Sequence, residues 1–124
     1  MFYKNLVHEL RFKKFVIGNK CKMHGDYLAA VYLVSADNDT WNRMRDSIGD
    51  RYIDFTKARI ADITSYGYLL LRTAQDIYTG TLHLDFQTLC DPYIISNKSF
   101  EMIITALRIS REGLSYTGIE KKYN

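Results

Sequence analysis

The sequence has little proline and few cysteines. Its 124 residues include one proline and two cysteines. Because proline interrupts helices and is common in turns, a single proline favours long uninterrupted helices over a turn-rich β architecture. Two cysteines are too few for a disulfide framework and fit a reducing compartment, where each is a small, buried or half-buried thiol. We therefore expect a helical protein whose stability comes from an apolar core.

The sequence also lacks a long apolar run. The longest covers residues 27–34, whereas a membrane-spanning helix needs about 20 apolar residues. The first fifteen residues mix charged and apolar side chains, unlike the separate basic and apolar regions of a secretory signal. We therefore expect a soluble, intracellular, cytoplasmic protein that does not enter a membrane.

The motifs of common enzymes are missing as well. The chain contains no GxxxxGK[ST], GxGxxG, GxSxG or HExxH motif. Cys21 and His24 have the spacing of a zinc-ligand pair, but His83 and Cys90 are too far apart to form the second tight pair of a typical zinc site. The two thiols and three histidines carry no local signature of nucleophilic catalysis. We predict a non-enzymatic protein without a metal or another cofactor.

What the sequence does contain is a large apolar fraction. Hydrophobic residues make up 47% of the chain and aromatic residues 14%, which suffices for the core of one domain. Residues 27–34 are apolar on every side, as expected of a central buried helix. We predict a compact, all-α, single-domain bundle of five to six helices in residues 1–110, packed around residues 27–34 and 100–109. Residues 111–124 are polar and contain glycine, so we predict a flexible tail there.

The most complete helix signal lies in residues 64–80. Thr64 or Ser65 can cap its first turn, and Gly80 suits the left-handed position that ends a helix. The predicted core face contains Tyr66, Leu70, Ala74 and Ile77. The opposite face combines an aromatic residue with an arginine, the types most often found at the centre of interfaces, so we predict that it binds a partner. Its members are Tyr68, Arg72, Gln75 and Asp76. The alternative is a solvated face with an Arg72–Asp76 ion pair.

A first helix is predicted over residues 3–16. Its apolar face is expected to pack on the core and contains Phe2, Tyr3, Leu6, Val7 and Leu10. Residues 1–25 hold six basic residues against one glutamate, although the net charge of the chain is only +3. Basic side chains release counterions from phosphates and aromatic rings stack on unpaired bases, so the basic face is a candidate nucleic-acid surface. Its members are Lys4, His8, Arg11, Lys13 and Lys14.

The apolar pattern of this first helix breaks after Arg11. Phe12, Phe15 and Val16 point away from the first apolar face, whereas Lys13 and Lys14 point into it. Either other elements wrap around this end of the helix, or aromatic side chains are exposed there.

Three stretches resemble a family of small proteins from Gram-positive bacteria and their phages that is known only as a domain of unknown function. His8 to Phe12, HELRF, is similar to an HxxRF signature, Ser65 to Gly80 contains YLLLR and ends in IYxG, and Phe100 to Ile109 resembles a closing helix. The resemblance implies a compact helical protein of mobile-element origin and singles out His8 and Arg11. The structural interpretation of this pair is that it holds a neighbouring carboxylate.

From these features we predict a small non-enzymatic binding protein that docks on a host protein and modulates it. By analogy, an origin in phages or mobile elements suggests inhibition of a bacterial defence system, as by anti-CRISPR-like proteins. The alternative is a nucleic-acid-binding protein that uses the basic N-terminal helix. Neither the identity of the partner nor the oligomeric state follows from the sequence.

Overall fold

A computed structural model describes residues 1–120 and shows an all-α protein, as predicted. The helices are α1 (Leu6–Gly18), α2 (Gly25–Val34), α3 (Asn38–Met44), α4 (Ser65–Thr79), α5 (Phe86–Leu89), α6 (Asn97–Glu112) and α7 (Leu114–Thr117). Two short 3-10 turns, Arg45–Ser47 and Phe55–Lys57, and one antiparallel bridge between Ile48 and Ile53 lie between α3 and α4. Five of the helices have seven or more residues, and α5 and α7 have four each.

Helix α2 is the centre of the core. Every residue from Tyr27 to Val34 is buried, and α2 packs against both α4 and α6. Because no side of α2 faces water, the helix can be apolar all round. The predicted central position of residues 27–34 is confirmed. Even so, α2 has only ten residues, and no helix within residues 1–120 is long and apolar enough to cross a bilayer.

The faces of α4 and α6 that meet α2 follow the helical period. Leu70 and Ala74 of α4 are buried, and Tyr66 and Ile77 are half-buried and pack against the core. The Thr64 hydroxyl accepts a hydrogen bond from the Gly67 N–H at 3.0 Å, and Gly80 ends α4 with a φ of 76°. The predicted caps and core face of this helix are therefore confirmed. On α6, the buried apolar residues are Met102, Ile103, Ala106 and Ile109.

A close backbone approach joins α2 to the end of α6. A Cβ atom added at Gly25 would lie 2.4 Å from the Ser110 carbonyl oxygen and 2.8 Å from that of Ile109. Such distances are well inside van der Waals contact, so only glycine fits this crossing without a backbone shift. Gly18, at the end of α1, has nothing within 4 Å of the same added atom.

The packed part of the chain extends beyond the predicted boundary at residue 110. Gly113, with a φ of 72°, lets the chain turn from α6 into α7. Leu114, Tyr116 and Ile119 pack against the core, and Thr117 is buried. Three apolar side chains are enough to dock this short segment, although polar residues separate them in the sequence. Residues 121–124, also part of the predicted tail, lie outside the described residues.

Candidate functional site

Helix α1 packs on the core through a different face from the predicted one. His8, Phe12 and Val16 are fully buried, so the core wraps around the side of α1 that carries the aromatic residue. Phe2 and Tyr3 do pack against the core. The other three residues of the predicted core face are between 54% and 67% exposed, and Ile17 is 63% exposed. Together these four side chains form one apolar stripe on the outside of α1. This α1 stripe consists of Leu6, Val7, Leu10 and Ile17. The predicted burial of Leu6, Val7 and Leu10 is wrong.

His8 explains why α1 turns this side inward. Its Nδ1 accepts a hydrogen bond from the Lys4 N–H at 3.0 Å, so the ring proton lies on Nε2, which donates to the Tyr32 carbonyl oxygen at 2.7 Å. Tyr32 lies in the last turn of α2, where carbonyl groups have no partner within the helix. The pKa of His8 is lowered to about 4, mainly because the ring is buried. The hydrogen bond to Tyr32 raises the pKa, whereas the positive charges of Arg11 and Lys4 lower it. His8 is therefore a neutral, buried donor to α2.

Arg11 makes a second contact to the same helix end. Its Nη1 donates to the Ser35 carbonyl oxygen at 2.7 Å, and its Nη2 donates to the Asn38 side chain. A cation beside the carbonyl end of a helix is favoured by the helix dipole. His8 and Arg11, one turn apart on α1, thus cap the buried C-terminal end of α2. The pair binds carbonyl oxygens and an amide rather than the carboxylate suggested by the sequence.

The five residues of the predicted basic face do not form one surface. Lys13 forms an ion pair with Glu9 at 2.6 Å, and the Lys4 ammonium lies 4.4 Å from the centre of the Tyr66 ring. His8 and Arg11 are directed at α2, as described above. Lys14 is exposed to solvent as predicted, and the Lys13 side chain is 42% exposed within its ion pair. The predicted face is corrected because His8 and Arg11 donate to carbonyl oxygens at the end of α2, where the Ser35 hydroxyl also donates to the Tyr32 carbonyl oxygen at 3.1 Å.

Beside the α1 stripe lies an open groove of about 730 Å³. We call it the α1–α3 groove because its apolar wall combines Val7 and Leu10 with Phe15 of α1 and Trp41 of α3, and Ile48 lines it further along. The Trp41 ring meets the Phe15 ring edge-on, with ring centroids 5.7 Å apart. The volume lies within the range of about 300 to 1,000 Å³ that is typical of ligand pockets in proteins.

The charged residues of the α1–α3 groove are mostly basic. Arg11, Lys14 and Arg45 line it, against one carboxylate, Asp50. Arg45 also lies 4.0 Å from Asp46, but both side chains are well exposed, and such a surface pair contributes little. The groove therefore combines an apolar wall with a positively charged rim.

Three of the four α4 residues predicted to bind a partner lie together. The Arg72 guanidinium lies 5.0 Å from the centre of the Tyr68 ring, and its Nη1 donates to Gln75 Oε1 at 2.6 Å. Tyr68, Arg72 and Gln75 thus form one cluster, of which Tyr68 is exposed. Asp76 does not join it, because its carboxylate faces the segment that follows α4. The Arg72–Asp76 ion pair of the alternative interpretation is not formed.

Asp76 instead anchors the segment after Gly80. Its oxygens accept hydrogen bonds from the His83 N–H at 2.8 and 2.9 Å, from His83 Nδ1 at 2.7 Å, from the Thr81 hydroxyl at 2.7 Å and from the Leu84 N–H at 2.8 Å. Burial alone would raise the pKa of Asp76, but the hydrogen bonds from His83, Thr81 and Leu84 outweigh it and lower the pKa. The chain's own donors occupy this carboxylate, so we assign Asp76 to holding the segment.

The anchored segment carries a second apolar surface that was not predicted from the sequence. Phe86 is 86% exposed and Tyr93 98%. Leu82, which is 93% exposed, lines one pocket together with Phe86, and we call these two side chains the α5 surface; Tyr93 and Ile94 are exposed further along the segment. Residues 81–97 contain two aspartates, Asp85 and Asp91, and no lysine or arginine. The sequence signal was present, since Leu82 and Phe86, two large apolar residues four positions apart, follow the glycine that ends α4.

No metal site forms in the described part of the chain. Within residues 1–120, no group of three or more histidine, cysteine, aspartate or glutamate side chains is placed to hold a metal ion. His83, considered as a ligand from the sequence, is bonded to Asp76.

Comparisons with known proteins supply no relative from which a function of this site could be inferred. No family model, no curated protein and no solved structure matches the chain. The resemblance to a phage-associated family therefore stays a prediction.

Proposed function

We propose that this is a small, non-enzymatic binding protein of the cytoplasm that docks on a host protein through the α1–α3 groove. The exposed α1 stripe beside Trp41 carries this proposal. Folded monomers rarely leave a contiguous apolar patch of this kind in water unless another molecule covers it. We therefore propose α1 and α3 as the binding site in place of the α4 face around Tyr68 that the sequence predicts. The resemblance suggests an origin in a mobile element, and by analogy we propose an anti-defence role in that setting.

The occupant that fits the groove is an amphipathic helix of a protein partner, with apolar anchors on one face and acidic side chains beside them. The wall of Val7, Leu10 and Trp41 can receive the apolar face, as grooves receive helices in many complexes. The rim of Arg11, Lys14 and Arg45 favours acidic flanks over basic ones. Burying one large apolar side chain contributes about 1.5 to 3 kcal/mol, so a few anchors offset much of the cost of association.

A fluorescence titration tests this proposal directly. Trp41 is the only tryptophan of the chain, so its emission reports on the groove. We would titrate two synthetic helical peptides without tryptophan that share a leucine face, one with glutamate flanks and the other with lysine flanks. The acidic peptide should shift the Trp41 emission and bind at least about tenfold more tightly, with an affinity that falls as salt rises.

Two variants make the titration specific to the groove. Leu10→Glu places a negative charge on the apolar wall, where it repels acidic side chains, and should abolish binding of the acidic peptide, whereas Tyr68→Ala on α4 should leave it unchanged. Both side chains are exposed, so neither change should unfold the protein, as circular dichroism would verify. Equal binding of both peptides, or binding of the acidic peptide that survives Leu10→Glu, would overturn the proposal.

The same variants identify the natural partner. A host protein captured from lysate and identified by mass spectrometry counts as the partner only if Leu10→Glu releases it, Tyr68→Ala retains it and nuclease does not affect it. If the double variant Tyr68→Ala, Arg72→Ala releases it instead, the α4 face predicted from the sequence is the binding site.

Single-stranded nucleic acid is the second candidate ligand, because the exposed Lys14 and Arg45 flank Trp41. A base stacked on that indole with phosphates on the two cations would follow common single-strand recognition. An oligonucleotide should then quench Trp41 strongly at low salt, and Lys14→Glu should remove the effect. No quenching at low salt would exclude this ligand.

A further inference from the structure

Two apolar surfaces of this chain carry opposite charge. The α1–α3 groove has three basic residues and one carboxylate on its rim. The α5 surface lies in residues 81–97, which contain two aspartates and no lysine or arginine. A pocket of about 240 Å³ beside Phe86 includes Asp76 and Asp85 in its lining and no basic residue. No residue lines both this pocket and the groove.

The α5 surface has the chemistry that the groove is proposed to bind. Asp85 directly precedes Phe86, so an acidic group stands beside a large exposed apolar anchor. The Asp85 side chain accepts a hydrogen bond from the Thr88 N–H at 2.7 Å, and the Asp76 bonds fix the residues just before it. The anchor is therefore presented on a segment that is already ordered, which lowers the entropic cost of docking.

We propose that the α5 surface of one copy docks into the α1–α3 groove of a second copy of this chain. Phe86 and Leu82 would cover Leu10 and Trp41, and Asp85 would face Lys14 and Arg45. Opposite charges on the two rims favour this pairing and disfavour groove-to-groove contact, in which the basic rims would repel. The inference rests on the proposed function, because it assigns an occupant of the same chemistry to the same groove.

This contact joins unlike surfaces, so it does not close on itself as a symmetric dimer does. A pair of copies leaves one groove and one α5 surface uncovered, and further copies add to form a ring or a short open chain. A host protein that enters the groove competes with this contact, so self-association covers the apolar stripe until a partner arrives.

Mixing two variants tests the pairing. Leu10→Glu disables the groove and Phe86→Lys disables the α5 surface, and both positions are exposed, so the fold should persist. By sedimentation equilibrium the wild type should associate as concentration rises, more weakly at high salt, and each variant alone should associate at least about tenfold more weakly. An equimolar mixture should form a dimer and stop there, because one intact groove meets one intact α5 surface. Tyr68→Ala should associate like the wild type.

Each outcome has a definite meaning. A wild type that stays monomeric at high concentration, or a mixture of the two variants that does not dimerise, overturns the inference. The acidic peptide titrated against Phe86→Lys judges the proposed function separately, since this variant keeps an intact groove. Peptide binding without self-association leaves the groove as a partner site only. Self-association without binding of the peptide or of a host protein would instead make the groove a self-assembly site.

Discussion

The buried imidazole of His8 should make the stability of this protein depend on pH. Its pKa is about 4 in the folded protein and about 6.5 in an unfolded chain. Above pH 6.5 the ring is neutral in both states and its effect on stability is constant. Below pH 6.5 the unfolded chain binds a proton that the folded protein excludes, so stability falls until the pH reaches the folded pKa. At 1.36 kcal/mol per pKa unit the total loss is about 3 kcal/mol, of which about 2 kcal/mol occurs between pH 7 and 5.

The contacts of His8 explain the size of this effect. Its Nδ1 accepts the Lys4 N–H and its Nε2 donates to the Tyr32 carbonyl oxygen, so a second ring proton would remove one bond and add a charge. The charged side chains nearby are Lys4 and Arg11, both cations that repel it. The phenols of Tyr3 and Tyr32 also pack on the ring, and burial raises the pKa of each, so neither supplies a compensating negative charge.

Urea unfolding followed by circular dichroism at pH 7, 6 and 5 measures this loss. The matched variant is His8→Gln, whose amide can still donate to the Tyr32 carbonyl oxygen but does not titrate. Subtracting the pH dependence of the variant removes the contributions of all other groups. The wild type should lose about 2 kcal/mol more than the variant between pH 7 and 5. Equal losses in the two proteins would refute the assignment of His8 as a neutral buried cap, as would an NMR titration of its ring midpoint near 6.5.

Two further predictions concern Gly25 and Asp76. Gly25→Ala should lower the free energy of unfolding by about 2 to 3 kcal/mol because the new Cβ meets the Ser110 carbonyl oxygen; Gly18→Ala should raise it by up to about 1 kcal/mol. Urea unfolding distinguishes them, and similar changes would contradict the close crossing of α2 and α6. Asp76→Ala should lower the free energy of unfolding by about 2 to 3 kcal/mol, because the groups that donate to Asp76 lose their acceptor. It should also speed hydrogen exchange at the His83 amide. Unchanged exchange would show that another group holds the segment.

The part of the fold that could be predicted is the part encoded locally. Thr64 and Gly80 stand at the ends of α4, and their capping chemistry depends on neighbouring backbone groups only. Residues 27–34 are apolar all round, which requires burial on every side. For α4, the period of 3.6 residues separated Leu70 and Ala74 from Tyr68 without ambiguity.

The orientation of α1 could not be predicted in this way, because the helix is apolar on two sides. Leu6 and Leu10 lie on one side and Phe12 and Val16 on the other, so periodicity alone does not choose between them. The choice depends on the end of α2, whose carbonyl groups at Tyr32 and Ser35 accept hydrogen bonds from His8 and Arg11. A buried histidine acting as a donor looks, in the sequence, like part of a basic surface.

Short segments were missed for a different reason. The four residues of α7 and the four of α5 are too few for a periodic signal. Asp76 was predicted to lie on the partner-binding face, with an Arg72–Asp76 ion pair as the alternative, but the backbone of the loop beyond Gly80 donates to its carboxylate instead. In each case the local structure depends on contacts with residues outside the segment.

The arrangement of α1 also bears on how the sequence of this protein can evolve. One side of the helix, at His8, Phe12 and Val16, is tied to the core, while Leu6, Leu10 and Ile17 on the other touch solvent. Substitutions at the exposed positions can alter what the protein recognises while its fold stays intact, so recognition and folding can be selected separately within thirteen residues. In a deep mutational scan for abundance, α1 should tolerate polar residues at its leucines and reject them at its histidine, the reverse of what hydropathy alone would suggest.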